Sequence, residues 1–226
     1  MINRRLLNIF IIVISILSFS TIFVVGTSYS FIFGETAEDY FPPEGTTKIF
    51  EYTTGKKPTV YATVGKATSF QGKKTIPIFN KAVIVGEKSK EHTSYYEVSE
   101  SFIKHVGSTY TEENKNIVYD PPYTEWRFPM KEGISWEENF VRRTTVQRNE
   151  KIQRIKSKFT VLGKEKIWVP AGSFNCWKIE YIVEENGITK GKGIEWISKG
   201  LGTIKNVVKF PDEKESEKVL KSYSRK

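Results

Sequence analysis

Few residues in this chain have the types and spacing that chemistry needs. There are two histidines, His92 and His105, and one cysteine, Cys176. The gap between positions 92 and 105 fits no short metal-ligand spacing, and a lone cysteine can build neither an intrachain disulfide nor a thiolate zinc centre. The carboxylate pairs Glu112-Glu113, Glu137-Glu138 and Glu184-Glu185 are adjacent in sequence. In strands such neighbours point to opposite faces, which suits solvation better than paired acid–base work. Thr189 to Trp196, "TKGKGIEW", is glycine-rich but has neither a Walker pattern nor a following helix. Ser173 lacks the Gly-x-Ser-x-Gly setting of a nucleophile elbow. Cys176 is expected to be a buried, inert thiol on the Lys178 face. These residues predict no metal, no cofactor and no catalytic constellation.

The scaffold is easier to read. The chain has 226 residues, 38% hydrophobic and 27% charged, with 14% aromatic. That composition fits a globular, β-rich domain. Leu6 to Val25 carries no charge and follows Arg4 and Arg5. Residues 1–34 are therefore expected to be either a removed signal peptide or an uncleaved signal-anchor helix, with the arginines cytoplasmic and the rest exported. Export excludes nucleic acid as the natural partner. Net charge is +9, and residues 142 to 166 hold nine basic residues against Glu150 and Glu165. This basic window is expected either to attract anionic headgroups or cell-wall polymers or to serve as a solvated strand face.

Residues 35–47, "ETAEDYFPPEGTT", read as a linker, and 48–226 as an exported antiparallel β domain. Pro77 marks an edge or a bend. Residues 92–110 read as two strands or as a strand and a short helix, and "YDPPYTEWRFPMKEGISW" as loop-rich. Asn186-Gly187 predicts a type I′ hairpin in which Trp177 faces Trp196, Ile179 faces Ile194 and Tyr181 faces Lys192. Gly163-Lys164 predicts a second hairpin that sets Phe159 opposite Trp168 and turns Arg154, Lys156 and Lys158 onto the other face. "SKGLGT" predicts a third. The segment Pro170 to Ser173 then reads as a corner between hairpins, since proline cannot donate to a ladder and glycine tolerates unusual angles.

"VPAGSF", followed by an alternating strand and "IEWISKGLGTIKN", resembles the signature of an uncharacterised family of bacterial envelope proteins, domain of unknown function 3108 and its relatives. "FPMKEGISW" and "DYFPPEGTTKIFEY" are similar to other parts of the family pattern, and the likeness covers roughly residues 40 to 210. The resemblance implies a single, strongly curved antiparallel sheet, a half-open barrel like that of the outer-membrane lipoprotein carriers and receptors. In those proteins an apolar concave face accepts acyl chains.

The expected function is a non-catalytic envelope protein binding a lipid or other hydrophobic ligand against Trp177, Ile179, Tyr181, Ile194, Trp196, Phe159 and Trp168. Arg154, Lys156 and Lys158 would meet anionic surfaces. The alternatives are an assembly module with a packed core and an envelope protein as partner, or a cell-wall or lipid hydrolase. The hydrolase would need a histidine within hydrogen-bond reach of a carboxylate.

Overall fold

The computed structural model describes residues 34–54 and 57–225. The apolar segment expected as a signal peptide or anchor helix falls outside the described residues. One helical turn, α1 (Ala37–Tyr40), precedes thirteen strands. These are β1 (Thr47–Tyr52), β2 (Thr59–Val64), β3 (Thr68–Phe70), β4 (Lys73–Val83), β5 (Lys90–Val98), β6 (Phe102–Tyr110), β7 (Lys115–Arg127), β8 (Ser135–Val146), β9 (Asn149–Val169), β10 (Gly172–Glu185), β11 (Ile188–Ser198), β12 (Gly202–Lys209) and β13 (Glu215–Ser224).

From β4 to β13 each strand pairs with the next, β13 pairs with β1, and β1 with β2. A ladder from Thr59↔Val83 to Val64↔Ile78 then joins β2 to β4. This closes a 12-stranded antiparallel barrel, with β3 as a short flap on β4. The half-open sheet expected from the resemblance is therefore corrected. The two ends of the meander satisfy each other's free backbone groups, which a half-open sheet would leave exposed. Pro77 sits where β4 leaves β3 and joins β2, so its missing donor falls between two ladders.

Alternation decides which face is inside. Along β9, Gln153, Ile155, Ser157, Phe159 and Val161 are buried, whereas Ile152, Arg154, Lys156 and Lys158 are exposed. Residues 92–110 form two strands with no helix. Pro121 and Pro122, expected in a loop, lie inside β7. The ladder to β6 jumps there from His105↔Tyr123 to Gly107↔Val118, and the ladder to β8 ends at Asp120↔Val141. Proline costs no ladder bond at such a place.

The hairpins need two corrections. Asn186-Gly187 does turn β10 into β11, with Glu185 opposite Ile188, but the register shifts by one beyond Glu184. Trp177 therefore faces Ile197, and Trp196 faces Lys178, so the two tryptophans lie on opposite faces. Gly163-Lys164 makes no hairpin. β9 continues through it with a bulge opposite Lys178 and Ile179, and Phe159 pairs with Trp136 and Tyr181 instead of Trp168. The turn comes at Pro170-Ala171, the tip between Val169 and Gly172. Gly172 has φ +127°, which explains the glycine there. The expected corner is thus a hairpin tip, and it docks on β13, where Ala171 N–H donates to the Leu220 carbonyl at 3.2 Å.

The expected linker is also structured. Thr36 and Asp39 form a capping box on α1. Ala37 N–H donates to the Glu100 carbonyl, and Tyr40 packs on Phe128 at 4.9 Å. Ala37, Tyr40 and Phe41 join Ile103, Trp126, Phe128, Met130, Trp136, Phe159, Val161, Trp177, Ile179 and Ile197 in one core cluster. This cluster fills the barrel at the α1 end.

Candidate functional site

Next to this apolar plug, the inward positions become polar. Bulges position the first of these groups. The β6–β7 ladder runs from Ile103↔Trp126 to Lys104↔Thr124, which leaves Glu125 with no residue opposite it. A bulge re-aims the side chain it carries, and the Glu125 carboxylate comes to 3.9 Å from His105 Nδ1. Around them, Tyr96 stacks on His105 at 4.7 Å, and Tyr119 and Tyr123 pack on both His105 and Phe140.

His105 is held in one tautomer. Its Nε2 lies 3.1 Å from the Gly107 carbonyl, which can only accept. Nε2 therefore carries the proton, and Nδ1 accepts from the Tyr123 hydroxyl at 3.2 Å. Burial pushes its pKa down to about 4. A neutral imidazole with both nitrogens engaged is not a base for Ser108, 3.3 Å from Nε2. Glu125 at 3.9 Å is beyond hydrogen-bond reach, so the geometry that the hydrolase reading needs is not met.

A second group reaches the same layer from other strands. The Glu195 carboxylate accepts from Trp126 Nε1 at 3.0 Å and from the Thr203 hydroxyl at 2.7 Å. The first of these bonds links β11 to β7 across three intervening strands, so both side chains face the lumen. Lys48 donates to the Leu201 carbonyl at 2.8 Å, and desolvation lowers its pKa to about 7. Lys48 and Lys218 both place their ammonium groups over the Phe50 ring, at 5.2 and 4.9 Å. Asn206, opposite Lys218 in the β12–β13 ladder, bonds the Tyr181 hydroxyl. Burial, and next the Glu195 charge, raise the Glu125 pKa to about 8.

A cavity of about 490 Å³ opens at the α1 end. Its apolar walls include Phe41, Pro42, Ile76, Tyr96 and Val98. Tyr96 belongs to both regions, since it lines this cavity and stacks on His105. Among the described residues, no cluster of three or more His, Cys, Asp or Glu could hold a metal ion.

The residues expected to line a ligand face are divided. Phe159, Trp177 and Ile179 are inward and packed in the plug, with Tyr181 half-buried beside them. Ile194 and Trp196 lie on the other face of the sheet. Trp196 packs with Cys176, whose buried thiol is pushed up to about 12, and it donates to Glu165. Trp168 is 77% exposed on the β9–β10 hairpin and belongs to no cluster. Arg154, Lys156 and Lys158 share the outer face, where Lys156 pairs with Glu137 at 3.1 Å. Sequence reasoning missed Lys48, Glu125, Glu195 and Lys218. One signal was present, because strand alternation puts Lys48 on the face of Phe50, a charge in a core register.

The outer face bears Glu137, Asn139, Arg154, Lys156, Lys158 and Glu180 along the strands, all exposed. A barrel facing hydrocarbon would carry an apolar band there. Among the described residues, no helix is long and apolar enough to cross a membrane.

Residues 104–215 match the DUF3108-like family model. The DUF3108-like match runs from β6 to the first residue of β13 and takes in the "VPAGSF" and "IEWISKGLGTIKN" motifs. Two solved structures share the fold. One is a Bacteroides fragilis protein assigned as exported, with a YmcC-like fold, at 17% identity and TM-score 0.56, covering 82% of this chain and 99% of its own. The other is a Parabacteroides distasonis protein assigned as a lipoprotein, at 15% identity and TM-score 0.58, covering 82% and 98%. No curated protein matches the chain.

Proposed function

We propose that this is a non-catalytic binding protein of the cell envelope whose barrel accepts a ligand with an apolar body. The observation that carries the reading is the cavity of about 490 Å³ beside α1, in the size range of small-molecule sites, with an apolar wall of Phe41, Pro42, Ile76, Tyr96 and Val98 and a charged rim of Glu38, Glu44 and Lys74. A 12-stranded barrel is wider than its own side chains fill, and the packed cluster leaves this space beside α1, β4 and β5. An extracytoplasmic location is supported by the apolar leader after Arg4 and Arg5 and by the assignments of the two structural neighbours. The non-catalytic reading is supported by the locked, neutral His105.

The test is a fluorescent long-chain fatty acid titrated into the purified protein. Saturable binding is expected in the wild type, and Ile76→Trp, which fills the cavity from its wall, should reduce it at least tenfold. Equal binding by the two proteins would remove the cavity from consideration. A clean organic-solvent extract together with no titratable binding would favour the packed assembly module and a protein partner.

A further inference from the structure

Several groups of the lumen network partner one another. Trp126, Thr203 and Glu195 satisfy one another, Lys48 is bonded to Leu201, and Tyr181 to Asn206. Among the described residues, the Glu125 carboxylate has no hydrogen-bond donor; neutral His105 lies 3.9 Å away, and the Lys218 and Lys48 charges act on it only from beyond ion-pair distance. The Lys218 ammonium lies over the Phe50 ring and makes no ion pair among the described residues. The two are not ion-paired with each other, although each faces the same layer of the lumen. Glu125 adjoins Trp126, which is bonded to Glu195, and Lys218 lies opposite Asn206 on β13.

A desolvated carboxylate held short of ion-pair contact opposes folding, so stability does not explain Glu125. The Glu125 side chain retains 22% of its surface. The surrounding tyrosines supply flat apolar walls and hydroxyl donors. Such an arrangement suits a molecule that brings both missing charges at once.

From this geometry we infer that Glu125 and Lys218 form a binding site for a zwitterion, with its ammonium group at Glu125 and its anionic oxygen acid at Lys218. This deepens the lumen-binding reading by naming the polar end of the ligand. A lipid headgroup and a free small zwitterion share this chemistry.

The experiment uses the full chain in uncharged maltoside-detergent micelles, titrated by calorimetry with O-phosphoethanolamine, inorganic phosphate and ethanolamine. Phosphoethanolamine should bind at least tenfold more tightly than either half. Glu125→Gln should lower its affinity to that of phosphate and leave phosphate binding unchanged. Lys218→Met should abolish phosphate binding and spare ethanolamine. Because each variant removes one half and keeps the other, misfolding cannot imitate the pattern. Equal affinity for phosphate and phosphoethanolamine, no binding of either, or loss of all three ligands in both variants would overturn the inference. Lysophosphatidylethanolamine binding more tightly than phosphoethanolamine identifies a lipid as the source of the headgroup, and equal binding identifies a free zwitterion. If the fatty acid binds and phosphoethanolamine does not, the lumen-binding reading stands and this inference alone fails.

Discussion

Two regions of one barrel interior solve the same problem in opposite ways. At the α1 end, Trp136, Phe159, Trp177 and Ile179 meet the helix and the Phe128 loop in a close-packed plug. In the next layer, Glu125, Glu195, Lys48 and Lys218 stand among tyrosines and a neutral histidine. The plug maximises burial of apolar area, and the polar layer accepts desolvation that folding alone would not select. The difference teaches that the plug holds the barrel together, whereas the polar layer contributes little to stability and on the proposed reading faces the ligand.

The sharpest way to break this comparison is to remove a plug side chain. Trp136 is 4% exposed, stacks on Phe159 at 5.1 Å and donates to the Thr124 carbonyl. Trp136→Ala should cost roughly 3–5 kcal/mol in urea unfolding. A loss under about 1 kcal/mol would mean that the plug is not the stabilising region.

The polar layer should answer in the opposite direction. With Glu125 raised from 4.5 to about 8 by burial, the folded protein binds more protons than the unfolded chain between those values. The Glu125 contribution to stability should therefore fall as pH rises through that window and level off above it. Lys48, lowered from 10.5 to about 7, acts in the opposite sense above pH 7, in the wild type and in Glu125→Gln alike. Glu125→Gln cannot ionise, so its melting temperature should match the wild type below pH 4.5 and exceed it increasingly toward pH 8. Parallel curves would show that Glu125 is solvated like a surface acid.

Farther from α1, Arg142 donates to Gln153 at 2.9 Å and to Glu185 at 2.6 Å, with 32% and 18% of the ion pair's side chains exposed. Arg142→Met should cost about 1–2 kcal/mol, mainly from the acceptors left unpaired. Salt should not restore it, which separates this site from a screened surface pair. The smallest effect is expected outside the barrel. Trp168→Ala, at a residue 77% exposed, should change stability by no more than about 0.5 kcal/mol. A larger loss would show that the hairpin tip has a packing role like that of the plug.

The legible part of the fold was whatever rests on local pattern. The Asn186-Gly187 tip, the one-sided Arg154, Lys156 and Lys158 stripe and the antiparallel meander follow from turn chemistry and alternation. Register beyond a bulge did not follow. A single extra residue beyond Glu184 moved Trp196 to the face opposite Trp177, and the bulge before Gly163 removed a hairpin. Bulges have no strong local signature, and each reverses every inference downstream of it. Glu125 was illegible for the same reason, since only the skipped pairing in β6–β7 aims it inward.

By itself, the sequence determined the β class, the apolar leader and the family motifs, because composition, charge-free length and turn residues act locally. Only the tertiary structure decided closure. The β1–β13 ladder joins Thr47–Tyr52 to residues 218–224 at the opposite end of the domain. With the β2–β4 ladder it leaves no free edge, since two free edges are less stable than one shared ladder. Closure also created the lumen, and it brought Lys48 near the start of the domain within the same layer as Lys218 near its end. No spacing rule links residues that meet only when a sheet closes on itself.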